Sequence, residues 1–586
     1  MKTTNSNDKN LSVYWLFLLA ISIGTIAGLG SIVFRGMIGL VHNLSFDGKF
    51  NFMFDPNYHP TPSRWGAAII LVPVMGSFLV TWLTQKFCPE ARGHGVPEVM
   101  NAIYYRDGKI RPMVAFIKAI TSSISIGTGG SVGREGPIIQ IGSAFGSLLG
   151  QMTKLTTRQL TVLIAAGAAG GIAATFNAPI GGLVFAIELL LVTSSAVNVA
   201  IVAAATVTAT IISQMFVGIT PSFFVPSLGM PLTHALSLET IALFIPFGIL
   251  AGGAAALFIH SIYWFEDQFN QYIKNPYWRH ATGMLLLGLM LFLFMTFTNY
   301  YYVAGVGYAT IMDILRDVLT HPEFLFLLFA CKLLATCLTL GSGASGGVFS
   351  PALFLGATLG AGFANLLNVM FPALHLPAPL FAVAGMAALV GGSTGAVLTA
   401  ITMTFEQTRD YADILPIILS VAIAYAVRVS ITNESIYTLK LYRRGQLLPK
   451  GLQAALSPSK RATHIMQKQF ATIDQQHISE WTQSQKGVST PQCAVVTHEG
   501  KITGVIRREL NYLMADVDPQ KLIDLNYIIV PASMTWSNLL RNMRDRNSQV
   551  ALVSSRPNSE MPGDIIGVIS QHELIQSSQQ LAQMTD

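Results

Sequence analysis

Two glycine-rich stretches decide how this chain folds. The first reads Gly127-Thr-Gly-Gly-Ser-Val-Gly-Arg-Glu-Gly-Pro137, and the second reads Gly341-Ser-Gly-Ala-Ser-Gly-Gly-Val-Phe-Ser-Pro351. Each lies between apolar segments and ends in a proline that suits the first turn of a helix. Both stretches therefore predict a loop that leads into the N-terminus of a helix.

The landmarks around these loops recur, which indicates an internal repeat. The same spacing is found in Pro137, Gly142 and Gly146 and in Pro351, Gly356 and Gly360, with a shift of 214 residues. Glu188 and Glu406 end a second pair of matching segments, with a shift of 218. Repeated halves are common in transporters, so we expect repeats at about residues 11–220 and 235–440.

The composition places most of the chain in lipid. Of its 586 residues, 11% are charged and 51% are hydrophobic, whereas soluble domains carry about 25% charged residues. An ordinary cytosolic enzyme and a disordered protein are therefore excluded. About a dozen apolar stretches predict membrane helices, and residues 11–40, 65–82 and 241–259 are long enough to span the hydrocarbon.

The charge density changes near residue 446, which predicts a domain boundary. Residues 446–586 hold 25 charged residues in 141 positions, against 41 in the first 445. We interpret residues 1–445 as a membrane domain and residues 446–586 as a soluble domain. The first span is too long for a cleaved signal peptide, and we expect both termini in the cytoplasm.

The charged and sulfur-containing residues point to no other class of protein. The net charge is +6, without a basic run typical of nucleic-acid binding, so we expect no nucleic-acid partner. The four cysteines lack C-x-x-C spacing, so neither a metal site nor a disulfide framework is predicted. We expect no catalytic residue and no required cofactor.

Broken helices inside a membrane favour anions. The first N–H groups of a helix have no intrahelical acceptor, and they lie at the positive end of its dipole. Two such N-termini in corresponding repeats predict one shared anion site. Water-exposed turns between spans remain an alternative, which the duplication disfavours.

Four ordered motifs resemble those of the CLC family of chloride channels and chloride/proton exchangers. They are Gly93-His-Gly-Val-Pro97, Gly133-Arg-Glu-Gly-Pro137, Gly347-Val-Phe-Ser-Pro351 and the tyrosine of Ser435-Ile-Tyr437. The resemblance covers about residues 11–445 and is more specific than a single short pattern. It implies an all-α polytopic membrane protein with an inverted internal repeat and broken helices, and a homodimer with one pore per subunit.

The resemblance also implies roles for individual residues. Glu135 matches the gating glutamate, whose carboxylate occupies the outer anion position and leaves it when protonated or displaced. Val348 and Phe349 match positions whose N–H groups face the central anion, and Tyr437 matches the phenol that donates to it. The filter motifs would comprise Gly93, Gly95, Pro97, Gly133, Arg134, Gly136, Pro137, Gly347 and Pro351.

Three positions depart from the family pattern. His94 stands where a serine hydroxyl commonly meets the central anion, which leaves fluoride and nitrate open beside chloride; the ring could instead bond a loop carbonyl. Leu189 stands at the inner proton-transfer carboxylate of the exchangers, and Met100 replaces another acidic residue. We interpret Glu188 and Glu406 as structural groups at helix ends.

These residues predict chloride transport gated by Glu135, through a voltage- or pH-gated channel or an uncoupled carrier. The alternative is a chloride/proton antiporter whose inner proton route is non-standard, with water in place of a carboxylate. An intramembrane serine protease, with Ser345 in a Gly-x-Ser-Gly motif and His260, is more remote. So is a cation transporter, because cation sites require carboxylates and carbonyls.

The soluble domain repeats a shorter pattern. An apolar run at Cys493 precedes Gly504-Val-Ile, and a second at Val550 precedes Gly567-Val-Ile. The pattern predicts βαββα units and resembles a tandem pair of CBS domains, a regulatory α/β module. The resemblance implies an adenine nucleotide site at Ser570 and Glu573, with dimer packing as an equal alternative. We expect a multi-pass protein of a prokaryotic plasma (inner) membrane with this domain in the cytoplasm.

Overall fold

The computed structural model divides the chain into two compact units, Met1–Leu447 and Leu448–Asp586. It describes residues 10–192, 194–219, 238–411 and 413–446 of the first unit. In the second unit it describes residues 461–478, 480–481, 493–507, 523–534, 538–539, 542–543, 546, 548–556, 559 and 561–570.

The described part of the first unit is helical. Its first eight helices are α1 (Val13–His42), α2 (Leu71–Phe87), α3 (Val96–Tyr105), α4 (Met113–Gly127), α5 (Glu135–Met152), α6 (Thr157–Phe176), α7 (Pro179–Leu189) and α8 (Ala196–Val217). The next are α9 (Leu238–Tyr272), α10 (Pro276–Thr298), α11 (Tyr308–Leu315), α12 (Pro322–Ser342), α13 (Phe349–Met370), α14 (Ala378–Thr394), α15 (Val397–Thr408), α16 (Ile414–Ile431) and α17 (Thr438–Arg443).

These helices confirm the polytopic all-α fold. Within the described ranges, nine helices are long and apolar enough to cross a membrane, and three shorter apolar helices accompany them. Eleven of these twelve helices coincide with predicted apolar stretches. The twelfth, α4, was not predicted, and the predicted stretch at residues 138–149 lies in α5. The two glycine-rich stretches form the loops before α5 and α13, as their proline positions predict.

The repeat appears in the order of the helices. The short helix α3 and the loop-preceded helix α5 of the first half correspond to α11 and α13 of the second, and α7 and α8 correspond to α15 and α16. The starts of α5 and α13 differ by 214 residues, and those of α7 and α15 by 218. Both shifts equal those read from the sequence.

Paired glycines let helices touch along their backbones. A Cβ atom added to Gly142 would lie 2.1 Å from the carbonyl oxygen of Gly167, so α5 and α6 leave no room for a methyl group. The corresponding Cβ on Gly356 would lie 2.1 Å from the carbonyl oxygen of Gly385, between α13 and α14. Small residues allow this close approach in membrane helices, where dispersion replaces the hydrophobic effect between spans.

Glu188 and Glu406 cap helices of the opposite repeat. The carboxylate of Glu188 accepts hydrogen bonds from the N–H groups of Leu398 (3.0 Å) and Thr399 (2.9 Å) at the start of α15. The carboxylate of Glu406 accepts from Ile180 (3.0 Å) and Gly181 (2.6 Å) at the start of α7. Each glutamate thus satisfies free N–H groups and the positive dipole end of a helix, which confirms the structural interpretation.

The second unit contains two sheets of the same design. β1 (Ala471–Asp474), β2 (Cys493–His498) and β3 (Lys501–Arg507) form one sheet, and β4 (Tyr527–Pro531), β5 (Val550–Ser554) and β6 (Ile565–Ser570) form the other. In each sheet the first two strands are parallel and the last two are antiparallel. The predicted duplication of strands is confirmed. The chain between β1 and β2, where a crossover helix is predicted, lies largely outside the described residues.

The glycine contacts predict which positions tolerate a methyl group. Gly356→Ala should lower the free energy of unfolding by about 1–3 kcal/mol, because the methyl group overlaps a backbone carbonyl. Gly253→Ala is the matched control, since a Cβ atom on this helical glycine of α9 meets nothing within 4 Å. Thermal unfolding of both purified variants in detergent measures the difference. Equal melting temperatures would contradict the close packing of α13 on α14.

Candidate functional site

The four motifs meet at the centre of the first unit. Gly133 and Gly347, which the repeat shift of 214 relates, exchange two hydrogen bonds, 2.8 Å from Gly133 N to Gly347 O and 2.6 Å in reverse. Such a reciprocal pair is what a local two-fold axis between the repeats requires. Gly93 donates to the carbonyl of Ala344 (3.0 Å) and accepts from Gly346 N (3.3 Å). The first motif is therefore bonded to the loop that precedes α13.

Glycine is required at several of these positions. Gly95 has a φ of +85°, in the left-handed region, where it reverses the chain just before α3. A Cβ atom on Gly136 would lie 2.2 Å from the carbonyl oxygen of His94 and 3.0 Å from the Cα atom of Gly347. Residues of three motifs thus contact one another through their backbones, and any side chain would separate them.

The carboxylate of Glu135 lies at the N-terminus of α13. Glu135 is the first residue of α5 and is 1% exposed. Its Oε2 atom accepts a hydrogen bond from the N–H of Ser350 at 3.3 Å, and its Oε1 atom accepts from the Ser350 hydroxyl at 2.5 Å. Tyr308 at the start of α11 donates to the same Oε1 atom at 2.6 Å. The carboxylate therefore takes the place that a small anion would occupy at this helix N-terminus.

His94 and Tyr437 lie together on another side of the site. Both are buried, and their ring centroids are 6.4 Å apart. The Nδ1 atom of His94 has no hydrogen-bond partner among the described residues. The predicted alternative, a ring bonded to a loop carbonyl, is therefore not observed at this atom. A buried polar atom without a partner usually has an unobserved ligand or water.

Val348 and Phe349, which the resemblance implies as backbone donors, lie at the start of α13. Val348 is the N-cap residue and Phe349 the first residue of α13, and both are buried. Arg134 is the N-cap residue of α5, and its guanidinium carbon lies 5.4 Å from the centroid of the Tyr308 ring. Pro137 and Pro351 lie in the first turns of their helices, where a missing N–H removes no hydrogen bond.

Two buried lysines support the site, and the sequence reasoning missed both. Lys118 on α4 is fully buried and donates to the carbonyl oxygens of Ala91 (2.9 Å) and Gly93 (2.6 Å), which holds the loop before α3. Lys332 on α12 donates to Val303 (3.1 Å) and Gly305 (2.9 Å) before α11. The two lysines are 214 residues apart. A lysine at the same place in both apolar repeats was the signal that could have revealed them.

Other predicted residues lie elsewhere. Leu189 ends α7, and Met100 is buried in α3, so neither position offers a titratable group. Ser570 ends β6 in the second unit, and Glu573 lies outside the described residues.

The remote protease interpretation finds no support. Ser345 is fully buried, and its hydroxyl donates to the carbonyl oxygen of Ala91 at 2.7 Å. It also lies 2.9 Å from the hydroxyl of Ser122, in a cluster of hydroxyl groups. His260 is exposed on α9. The described residues therefore do not pair this serine with a base.

A family model described as voltage gated chloride channel matches residues 76–429, which include the first three motifs. The chain belongs to this family. The membership predicted from the four motifs is thus confirmed. In this CLC chain, the meeting point of α5, α11 and α13 is the candidate anion site.

Two H(+)/Cl(-) exchange transporters are similar to about three quarters of the chain. The H(+)/Cl(-) exchange transporter ClcA of Vibrio cholerae serotype O1 is 31% identical over 449 residues, which are 74% of this chain and 91% of that protein. ClcA of Salmonella arizonae, another H(+)/Cl(-) exchange transporter, is 30% identical over 73% of this chain and 88% of that protein. About one quarter of this chain therefore lies outside each of these two alignments.

Solved structures show the same fold. The X-ray crystal structure of a slow cyanobacterial Cl-/H+ antiporter is 25% identical and has a TM-score of 0.63, over 74% of this chain and 99% of that chain. The crystal structure of a eukaryotic CLC transporter is 21% identical, with a TM-score of 0.60 over 96% of this chain and 98% of that chain. The second likeness concerns the fold alone.

The lysine contacts predict a structural cost that reaches the anion site. Lys118→Met should remove one of the two donors from each of the Ala91 and Gly93 carbonyls, at about 1.5–3 kcal/mol per lost hydrogen bond to a charged group, and should loosen the loop that carries His94. Lys86→Met is the control, because Lys86 is exposed and lies 5.2 Å from the Trp82 ring centroid. We expect a lower melting temperature and weaker chloride binding by calorimetry for the first variant only. Unchanged values would show that the loop does not depend on Lys118.

Proposed function

We propose that this chain exchanges chloride for protons across a membrane. In this proposal the carboxylate of Glu135 binds the transported proton, and in its ionised form it occupies the anion position. The observation that carries the proposal is the buried carboxylate of Glu135 at the N-terminus of α13. A carboxylate competes with chloride for the same donors, and protonation removes the charge that holds it there. Release of the side chain and arrival of chloride are therefore coupled to proton binding.

The names of the relatives favour exchange over the channel interpretation that the sequence suggested first. Two of the similar proteins are named H(+)/Cl(-) exchange transporters, and a similar solved structure is titled a Cl-/H+ antiporter. One observation favours the channel interpretation. Leu189 and Met100 stand at predicted inner proton positions, and neither side chain can carry a proton. In the exchange proposal, water fills the inner route that carboxylates serve in other exchangers.

The anion is proposed to bind between the start of α13 and the pair of His94 and Tyr437. The N–H groups of Val348 and Phe349 would supply backbone donors. The phenol of Tyr437 and the imidazole of His94 would supply side-chain donors, and the partnerless Nδ1 atom of His94 supports this assignment. Chloride is the expected substrate, and no bound cofactor is needed for this step.

The assembly and the second unit complete the proposal. We expect a homodimer with one pore per subunit in the plasma membrane of a prokaryote, with residues 446–586 in the cytoplasm. The repeated strand order of the two sheets supports a tandem CBS-like module. Ser570 remains the described candidate for contact with an adenine nucleotide, and Glu573 remains a prediction.

Exchange and channel function differ in proton movement. In liposomes with an outward chloride gradient and a clamped membrane potential, we expect chloride efflux to drive protons inward against their gradient. Fluorescent pH and chloride electrode readings taken together measure both fluxes. Chloride flux without proton movement would identify a channel or an uncoupled carrier.

Glu135→Gln should separate the two fluxes. The amide cannot release or bind the proton at neutral pH, so we expect chloride flux to continue while coupled proton movement falls to background. Glu323→Gln is the control, because its side chain is exposed at the start of α12. Proton coupling that survives in Glu135→Gln would refute the role of this residue.

His94→Ser tests the anion ligands. A small hydroxyl in place of a large imidazole should change the nitrate-to-chloride transport ratio by about threefold or more, because about 1 kcal/mol separates the two donors. His260→Ser, at an exposed position of α9, should leave the ratio unchanged. Anion flux measured with each anion in turn gives the ratio. An identical ratio in His94→Ser would place the imidazole outside the anion path.

A further inference from the structure

Two hydroxyl groups hold the carboxylate of Glu135, and neither was part of the predicted site. Tyr308 and Ser350 both donate to the Oε1 atom, at 2.6 and 2.5 Å, and their own oxygens are 3.1 Å apart. The three oxygen atoms form a closed triangle. Both hydroxyl residues are buried, so water does not readily replace these bonds.

The fold fixes both hydroxyl groups in place. Tyr308 begins α11 directly after Gly307, whose φ of +80° reverses the chain. Lys332 holds the carbonyls of Val303 and Gly305 in the preceding loop. Ser350 is the second residue of α13, so its side chain and its N–H reach the same carboxylate. Neither hydroxyl group can follow the carboxylate when it leaves.

These hydrogen bonds stabilise the ionised carboxylate of Glu135 in the anion position. Hydrogen bonds from O–H groups to a carboxylate are short and roughly twice as strong as neutral ones. They are lost when chloride displaces the side chain. A chloride ion has a larger radius than a carboxylate oxygen and accepts longer, weaker hydrogen bonds, so it gains less from two hydroxyls that converge on one point.

We propose that Tyr308 and Ser350 form a hydroxyl clamp that holds the carboxylate of Glu135 in the anion position and thereby sets the chloride concentration at which the gate opens. The clamp deepens the proposed function and rests on the gating role of Glu135. Tyr308 and Ser350 act as positioning residues, because they contact the gate rather than the transported ion.

Chloride binding to the purified, full-length protein tests the clamp. Isothermal titration with chloride should show about tenfold tighter binding for Tyr308→Phe and for Ser350→Ala, because each removes a hydrogen bond to the competing carboxylate. Ser350→Thr keeps a hydroxyl group and should restore wild-type affinity. Tyr302→Phe is the matched control, since Tyr302 lines the same cavity as Tyr308 without a hydrogen bond to Glu135.

A second background separates the clamp from a direct role in anion binding. In Glu135→Ala no carboxylate competes, so adding Tyr308→Phe should leave the chloride affinity unchanged. Weaker chloride binding on adding Tyr308→Phe in this background would overturn the clamp and make the phenol an anion ligand. Unaltered affinity of Tyr308→Phe in the wild-type background would also overturn it.

The outcome is independent of proton coupling. Liposomes of the same preparations report proton movement separately. Chloride flux without protons would refute the exchange proposal, while tighter chloride binding in Tyr308→Phe would still support the clamp on a channel gate.

Discussion

A negative charge inside a membrane is stable only where fixed donors replace its water, and the first unit of this chain is built around that constraint. In the proposed anion site the donors are N–H groups at the starts of broken helices, and the hydrogen bonds between Gly133 and Gly347 hold the loops before α5 and α13 together. A side chain on Gly136 would push apart the first motif and the loop before α13. The anion site therefore depends on the absence of side chains as much as on the donors.

Each repeat contributes a loop that leads into a helix N-terminus, and each repeat contains side chains that stabilise such loops and helix starts. Lys118 and Lys332 hold the loops before α3 and α11, and Glu188 and Glu406 cap α15 and α7. The two lysines are fully buried and the two glutamates are half-buried, and their hydrogen bonds to backbone groups offset the cost of desolvating them. Equivalent contacts occur in both halves. They therefore stabilise the symmetric arrangement of the two repeats and not a single helix. Glu135 breaks the pattern, since its repeat counterpart is Phe349.

The sequence predicted the backbone of the site better than its side-chain network. Glycine and proline spacing predicts where helices break, because those residues act through local conformation, and the starts of α5 and α13 followed that prediction. Tyr308 and Ser350 could not be predicted in the same way. Their role depends on the tertiary packing that brings α11 and α13 to Glu135. Tyr308 is 173 residues and Ser350 is 215 residues from Glu135 along the chain. Such contacts follow from tertiary packing, which no local pattern records.

In the proposed pathway, the groups around Glu135 differ from those at the predicted inner proton positions. The carboxylate of Glu135 accepts hydrogen bonds from the hydroxyls of Tyr308 and Ser350. Arg35 and Arg134 line a cavity beside Tyr308. Leu189 and Met100 offer no titratable group at the positions that the family resemblance assigns to an inner proton route, and Glu188 is bonded to the N-terminus of α15. In the proposed exchange, a proton that leaves Glu135 inward would cross through water, whose entry would depend on how long the carboxylate stays away from the anion position. A clamp that favours the bound carboxylate shortens that time, so the strength of two hydrogen bonds on the outer side would limit proton transfer on the inner side.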